Sequence, residues 1–191
     1  MIYIAIGCLG FLLLHIFDIV SWKKLAGLKP FIWFSGSGLL VYAMVMAWLR
    51  SDEMALPLWT VRIGWALLAV SCLLLIYSLF INLPFRKTYI AAGVSDRLVT
   101  TGLYAMVRHP GVHWFTLAMF SLVLVSRSRL LLIAAPIFIL MDIALTIWQD
   151  KFLFGRMFEE YDKYRRETPM LIPNRRSLNA FVNSLKQQFR A

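Results

Sequence analysis

Charge is scarce in this sequence: 16% of its 191 residues are charged, only ten are acidic, and 60% are hydrophobic. Soluble domains are about half apolar and about a quarter charged. A single core of this size leaves too much surface facing water to hide so many apolar side chains. The composition therefore argues against an ordinary water-soluble enzyme and against a disordered chain. Cysteine is scarce too. Cys8 and Cys72 each sit inside an apolar run, where a thiol packs as a small hydrophobe rather than bridging or holding a metal. The sequence has no zinc-type Cys/His spacing, no G-x-G-x-x-G or P-loop, no G-x-S-x-G elbow and no plausible strand. The shortage of acid leaves a net charge of +10. In so apolar a chain that excess serves membrane topology and anionic lipid, not nucleic acid.

What is abundant is long apolar runs. A membrane helix needs about 20 mostly apolar residues to cross about 30 Å of hydrocarbon. Five runs qualify, at residues 2–20, 31–49, 63–83, 112–125 and 130–148, the fourth being short. The first lacks a basic lead and a small-residue cleavage site, so it reads as an anchor rather than a removed signal. Only residues 126–129 separate the last two, which predicts a tight antiparallel hairpin. Five spans put the 21–30 loop, the 84–111 loop and the tail after Trp148 on one side, with sixteen of the twenty Lys and Arg residues. The positive-inside rule makes that side, and the C-terminus, cytoplasmic. The expected product is an all-α, multi-pass integral membrane protein, in the cell membrane if bacterial. It divides into three N-terminal spans (1–83), a core of cytosolic loop, hairpin (112–148) and cytosolic helix (84–173), and a basic tail (174–191). In the tail, Leu178, Phe181, Val182, Leu185 and Phe189 make an amphipathic helix suited to anionic lipid.

Two cytosolic segments carry residues with chemistry. In the first, Gly102 marks a turn, and Arg108, His109 and Pro110 stand where the fourth span begins. Proline is tolerated in a first helical turn. The start of that helix offers free N–H groups and a positive dipole end. Arg108 adds a planar fork of donors and His109 a group titrating near neutrality. Alternatively, Arg108 anchors lipid phosphate and His109 merely starts the helix. In the second segment, Phe154, Met157, Phe158, Tyr161 and Tyr164 recur at helical spacing on a continuation of the fifth span. That stripe is either surface packing or the wall of a cofactor pocket. Three ionisable groups lie inside spans: His15 and Asp18 on one face of the first, and Asp142 deep in the fifth. Such groups usually face the bundle interior. His113 either shares the mouth of the site or caps its helix.

The run Gly102-x-Tyr104-x-x-x-Arg108-His109-Pro110, followed by Tyr161-x-x-Tyr164-x-x-x-Thr168-Pro169-x-Leu171-Ile172-Pro173, resembles the integral membrane methyltransferases. These include the isoprenylcysteine carboxyl methyltransferases and phospholipid N-methyltransferases. The likeness covers roughly residues 98–173. It implies S-adenosylmethionine bound at the cytosolic face without a Rossmann domain, and a lipid or other apolar methyl acceptor arriving from the bilayer. The resemblance implies that Gly102, Tyr104, Arg108, His109, Pro110, Asp150, Tyr161 and Tyr164 bind the cofactor. It gives Arg108 and His109 catalytic roles and pairs Asp150 with the cofactor's ribose or ammonium. The family's acidic pair falls on Gln149 and Asp150, of which only Asp150 is charged. Val112 stands where the family usually has an aromatic residue, Met157-Phe158 replaces a Phe-Gly, and the loop at 84–89 differs. The alternatives are a nicotinamide-dependent membrane reductase of the sterol type, which also carries Arg-His-Pro, and a non-enzymatic membrane protein.

Overall fold

The computed structural model describes residues 1–25, 27–83, 86–90 and 98–188. Pro84, Arg97 and Phe189 lie outside them. The described chain is helical, with one isolated antiparallel bridge between Glu53 and Ser128 and no strand. Four helices are long and apolar enough to cross a membrane. They are α1 (Ile2–Trp22), α2 (Leu28–Leu49), α3 (Leu58–Ile76, extended by a π-helical turn Tyr77–Ile81) and α6 (Arg129–Trp148, followed by a π-helical turn Gln149–Leu153). The fifth expected span is α5 (Pro110–Ser126), an apolar helix of 17 residues. At 1.5 Å per residue that is about 25 Å, shorter than the hydrocarbon layer. The third span begins at Leu58 rather than at residue 63. Large side chains cover the outside of the bundle with apolar surface, among them Phe31, Leu73 and Leu140, each more than 60% exposed. An apolar exterior of this extent suits lipid rather than water.

Close packing follows from small residues. A Cβ on Gly10 would lie 2.8 Å from the Gly36 carbonyl oxygen, so α1 and α2 approach backbone to backbone only because both positions are glycine. Phe11 sits at the centre of the core, with Phe115 at 5.9 Å and Phe138 at 6.0 Å between ring centroids. The predicted hairpin forms as a turn with Arg127 in the left-handed region. Ser128 then caps α6 by accepting from Leu131 N at 3.0 Å and donates to the Ala47 carbonyl at 2.8 Å. These bonds close one end of the bundle.

At the opposite end the chain departs from a single long helix. Beyond α6 the π-helical turn is followed by α7 (Phe154–Met157), an extended Phe158, and α8 (Tyr161–Glu167). The expected continuous cytosolic helix is therefore broken. Phe158 takes extended dihedrals that end one helix, and the chain folds back toward α6. The tail helix α9 (Arg175–Gln188) starts on a reciprocal cap. Ser177 N donates to Asn174 Oδ1 at 2.9 Å and Asn174 N to Ser177 Oγ at 3.0 Å. It packs on α4 (Leu103–Met106), where Gly102 N donates to Ser184 Oγ at 2.8 Å.

Candidate active site

The backbone of residues 107–109 is not helical, and it has found partners in the segment after α8. Arg108 N donates to the Pro169 carbonyl at 3.0 Å and His109 N to the Met170 carbonyl at 3.2 Å. Pro110 then opens α5 at its first turn, where its missing N–H breaks no bond. The two sequence segments singled out for chemistry are thus stitched together at their main chains.

Their side chains meet on Asp150. Arg108 clamps this buried carboxylate with both arms of its fork, Nε to Oδ1 at 2.7 Å and Nη2 to Oδ2 at 2.9 Å. Its Nη1 donates to the Arg165 carbonyl at 3.1 Å and to the Thr168 carbonyl. Tyr161 donates to Asp150 Oδ1 at 2.5 Å. His109 Nε2 lies 3.5 Å from the same oxygen and is buried without a hydrogen-bond partner. Its ring stacks on Phe154, 5.8 Å away at 12°. A bidentate pair of this kind is strong and fixes orientation. Asp150 sits in the first turn of the π-helical segment, a deviation that recurs at functional sites.

The π-helical turn that extends α3, Tyr77–Ile81, supports Tyr104. Its hydroxyl donates to the Ser78 carbonyl at 3.2 Å, while Tyr164 donates to the Tyr104 carbonyl at 2.6 Å. Gly102 precedes this segment with φ +60 and ψ −135, a region closed to residues with a side chain. A Cβ there would lie 2.5 Å from Asn82 Oδ1, the atom that accepts from Leu103 N at 3.2 Å.

Charge in the knot is fixed by burial and by Asp150. Burial by itself would lower the Arg108 pKa, but hydrogen bonds and attraction to Asp150 outweigh it, so the guanidinium stays charged. Burial is the main force lowering His109 below 6.5, and the Arg108 cation adds to it, against the pull of Asp150; the imidazole is neutral at pH 7. Burial raises Tyr104, Tyr161 and Tyr164, with Asp150 reinforcing the effect on Tyr161. All three phenols are therefore hydrogen-bond donors, not bases.

A cavity of about 530 Å³ opens beside the knot. This is within the usual range for small-molecule sites. Tyr104, Arg108, His109, Tyr161 and Tyr164 line it, together with Phe154 and Phe158. Gly102, Pro110 and Asp150 do not line it; they stand behind the residues that do. The cavity continues between α1, α2, α3, α5 and α6, past Asp18, Lys29, Trp33 and Gln149 to Phe115 and Asp142. Gln149 donates to Asp18 Oδ2 at 2.8 Å, which gives the intramembrane Asp18 a partner from the position next to Asp150. Lys29, buried with its amine 5.9 Å from the Phe17 ring centroid, had no signal in the sequence beyond its place in a short basic loop. His15 packs against Trp148, and neither it nor His113 lines the cavity.

Comparison with known proteins identifies the family. A family model described as phospholipid methyltransferase matches residues 59–159, from α3 through α7, and includes Arg108, His109 and Asp150. No curated protein and no solved structure matches the chain. Since the matched stretch is more than half of the sequence, this chain belongs to the phospholipid methyltransferase family, a membrane methyltransferase family related to the isoprenylcysteine carboxyl methyltransferases.

Proposed function

We propose that the chain moves a methyl group from S-adenosylmethionine to a lipophilic acceptor held in the cavity, at the cytoplasmic face of the membrane. The observation that carries this reading is the two-ended cavity, polar around Tyr104, Arg108, His109, Tyr161 and Tyr164 and, apart from a few groups such as Asp18, Lys29, Gln149 and Asp142, largely apolar where it runs between the membrane helices. The polar end suits the cofactor. His109 Nε2 is buried and unpartnered there, and Arg108 keeps one N–H beyond the four bonds it makes. When bound, S-adenosylmethionine supplies an electrophilic methyl on a sulfonium. Arg108 and His109 hold the cofactor's polar groups, and Tyr104, Tyr161 and Tyr164 wall it in. Asp150 acts through Arg108 and Tyr161 as a positioning residue. The apolar stretch excludes water and keeps the acceptor in line, and such positioning is a large part of catalysis. A carboxylate or thiolate acceptor needs no strong base, whereas an ammonium acceptor must first lose a proton.

The cytoplasmic assignment rests on the sixteen-to-four division of basic residues, since the loops and tail grouped by charge meet at the polar end of the bundle. Arg175, Arg176 and Lys186 on α9, beside exposed Leu178 and Val182, suit an anionic lipid surface. Calorimetric titration of the purified protein tests the cofactor class. S-adenosylmethionine and S-adenosylhomocysteine are expected to bind and compete, and NADPH to give no heat of binding. The reverse result would select the reductase.

A further inference from the structure

Asp142 is the acidic side chain that the polar knot leaves unused. It lies on α6 eight residues before Asp150, about 12 Å deeper along the helix axis. One turn before it, Phe138 packs on Phe11, which packs on Phe115. Phe11, Phe115 and Asp142 all line the cavity, so Asp142 stands at its membrane-buried, apolar end. Its Oδ2 is sealed from solvent and accepts no hydrogen bond among the described residues. The nearest hydroxyl on the same helix is already used, because Thr146 Oγ1 donates to the carbonyls of Asp142 and Ile143 at 3.1 and 2.9 Å. The cavity's other carboxylate, Asp18, has Gln149 as its donor.

An unpaired carboxyl group at membrane depth is unfavourable, and such groups usually meet a partner in the bundle interior or a ligand. A ligand lying along this cavity brings its own donor to the Asp142 carboxyl group, which lines it. A phosphate, a carboxylate or an ammonium would lose its hydration there, far from water. A hydroxyl satisfies the carboxyl group with the least desolvation. We infer that Asp142 is a second polar station of the cavity, which receives a hydroxyl carried on the lipophilic body of the acceptor, about 12 Å from its reacting head. The acceptor is then a hydroxyl-bearing lipid rather than one with plain hydrocarbon tails. The inference rests on the proposed function only in placing the reacting head at the Arg108–His109 end.

Competition binding in maltoside micelles, without cofactor, tests it. The probes are decylphosphocholine, its 8-hydroxy analogue and its 4-hydroxy analogue, each displacing radiolabelled decylphosphocholine. The 8-hydroxy probe is expected to compete about tenfold better than the other two, as one added hydrogen bond allows. Asp142→Leu is expected to abolish that ranking and Asp142→Asn to keep part of it. The inference is overturned if the wild type ranks the plain chain equal or best, or if Asp142→Leu retains the preference. The wild-type ranking decides alone should the leucine variant fail to fold. Failure of methyl transfer with the ranking intact would overturn the proposed function and leave the station standing.

Discussion

Tyr161 and Asp150 are eleven residues apart in sequence, yet their side chains share a hydrogen bond of 2.5 Å. On a continuous helix the same separation is about 16 Å. The break at Phe158 makes the contact possible, and it turns an aromatic stripe into the lid of a buried ion pair. Asp150 consequently faces Arg108, Tyr161 and His109 rather than the cavity itself.

The first consequence concerns stability. Asp150→Ala strands the buried Arg108 cation and is expected to cost about 3–5 kcal/mol, read as a large fall in melting temperature. Replacing both partners with apolar residues, Arg108→Met with Asp150→Leu, is expected to recover much of that stability while cofactor binding stays lost. Glu159→Gln and Glu160→Gln, at exposed positions, are expected to change stability by less than about 0.5 kcal/mol. An equal loss at all three acidic positions would remove Asp150 from the centre of the knot.

Tyr161→Phe and Tyr164→Phe separate the two halves of the wall. The first removes the donor to Asp150 and is expected to cost about 1.5–3 kcal/mol, the range for hydrogen bonds to charged groups. The second removes only a neutral bond to the Tyr104 carbonyl and is expected to cost about 0.5–1.5 kcal/mol. Chemical or thermal denaturation in detergent orders the two, and a reversed order contradicts the geometry.

Gly102→Ala meets both a forbidden dihedral and the side chain of Asn82. The expected loss is about 1–3 kcal/mol. Combining it with Asn82→Ala relieves the contact but not the dihedral, so the alanine at 102 still destabilises in that background. Full rescue would mean that the backbone conformation carries no strain.

Acid sensitivity follows from His109. Its pKa in the folded protein is below 6.5 because the charged form is disfavoured by burial. The unfolded chain therefore binds the extra proton first. Stability from this group is intact above about pH 6.5 and falls as pH drops from there toward the lowered folded value. His109→Gln is expected to flatten this part of the stability profile. An unchanged slope in the variant would assign the acid loss to other groups.

Much of the architecture is legible in the sequence, because apolar runs and charge asymmetry act over long stretches. The hairpin at 126–129 and the helix start at Pro110 follow from local rules that the structure obeys. The fold-back at Phe158 had no such signal: residues 149–164 keep helical periodicity across the break. For the same reason Asp150 reads as a cavity residue, when its location on a π-helical turn points it into the Arg108 pair. Lys29 and Gln149 gain their places only through the packing of α1 against α2 and α6, which no short pattern encodes.

Orientation is open to a simple check. The division of basic residues predicts that alkaline phosphatase fused after the tail is inactive while a fluorescent protein at the same point glows. Strong phosphatase activity would place the Arg108–His109 end outside the cytoplasm.

The central claim is methyl transfer inside the cavity, and a single-turnover measurement meets it most directly. Protein in nanodiscs made from total host lipid is loaded with methyl-labelled S-adenosylmethionine, and label is followed into the organic phase. The account predicts label in a lipid product, matched mole for mole by S-adenosylhomocysteine, with loss of transfer in the Arg108→Met, Asp150→Leu double variant. Cofactor that binds and never passes its label to any lipid, or transfer that survives in that variant, would contradict it.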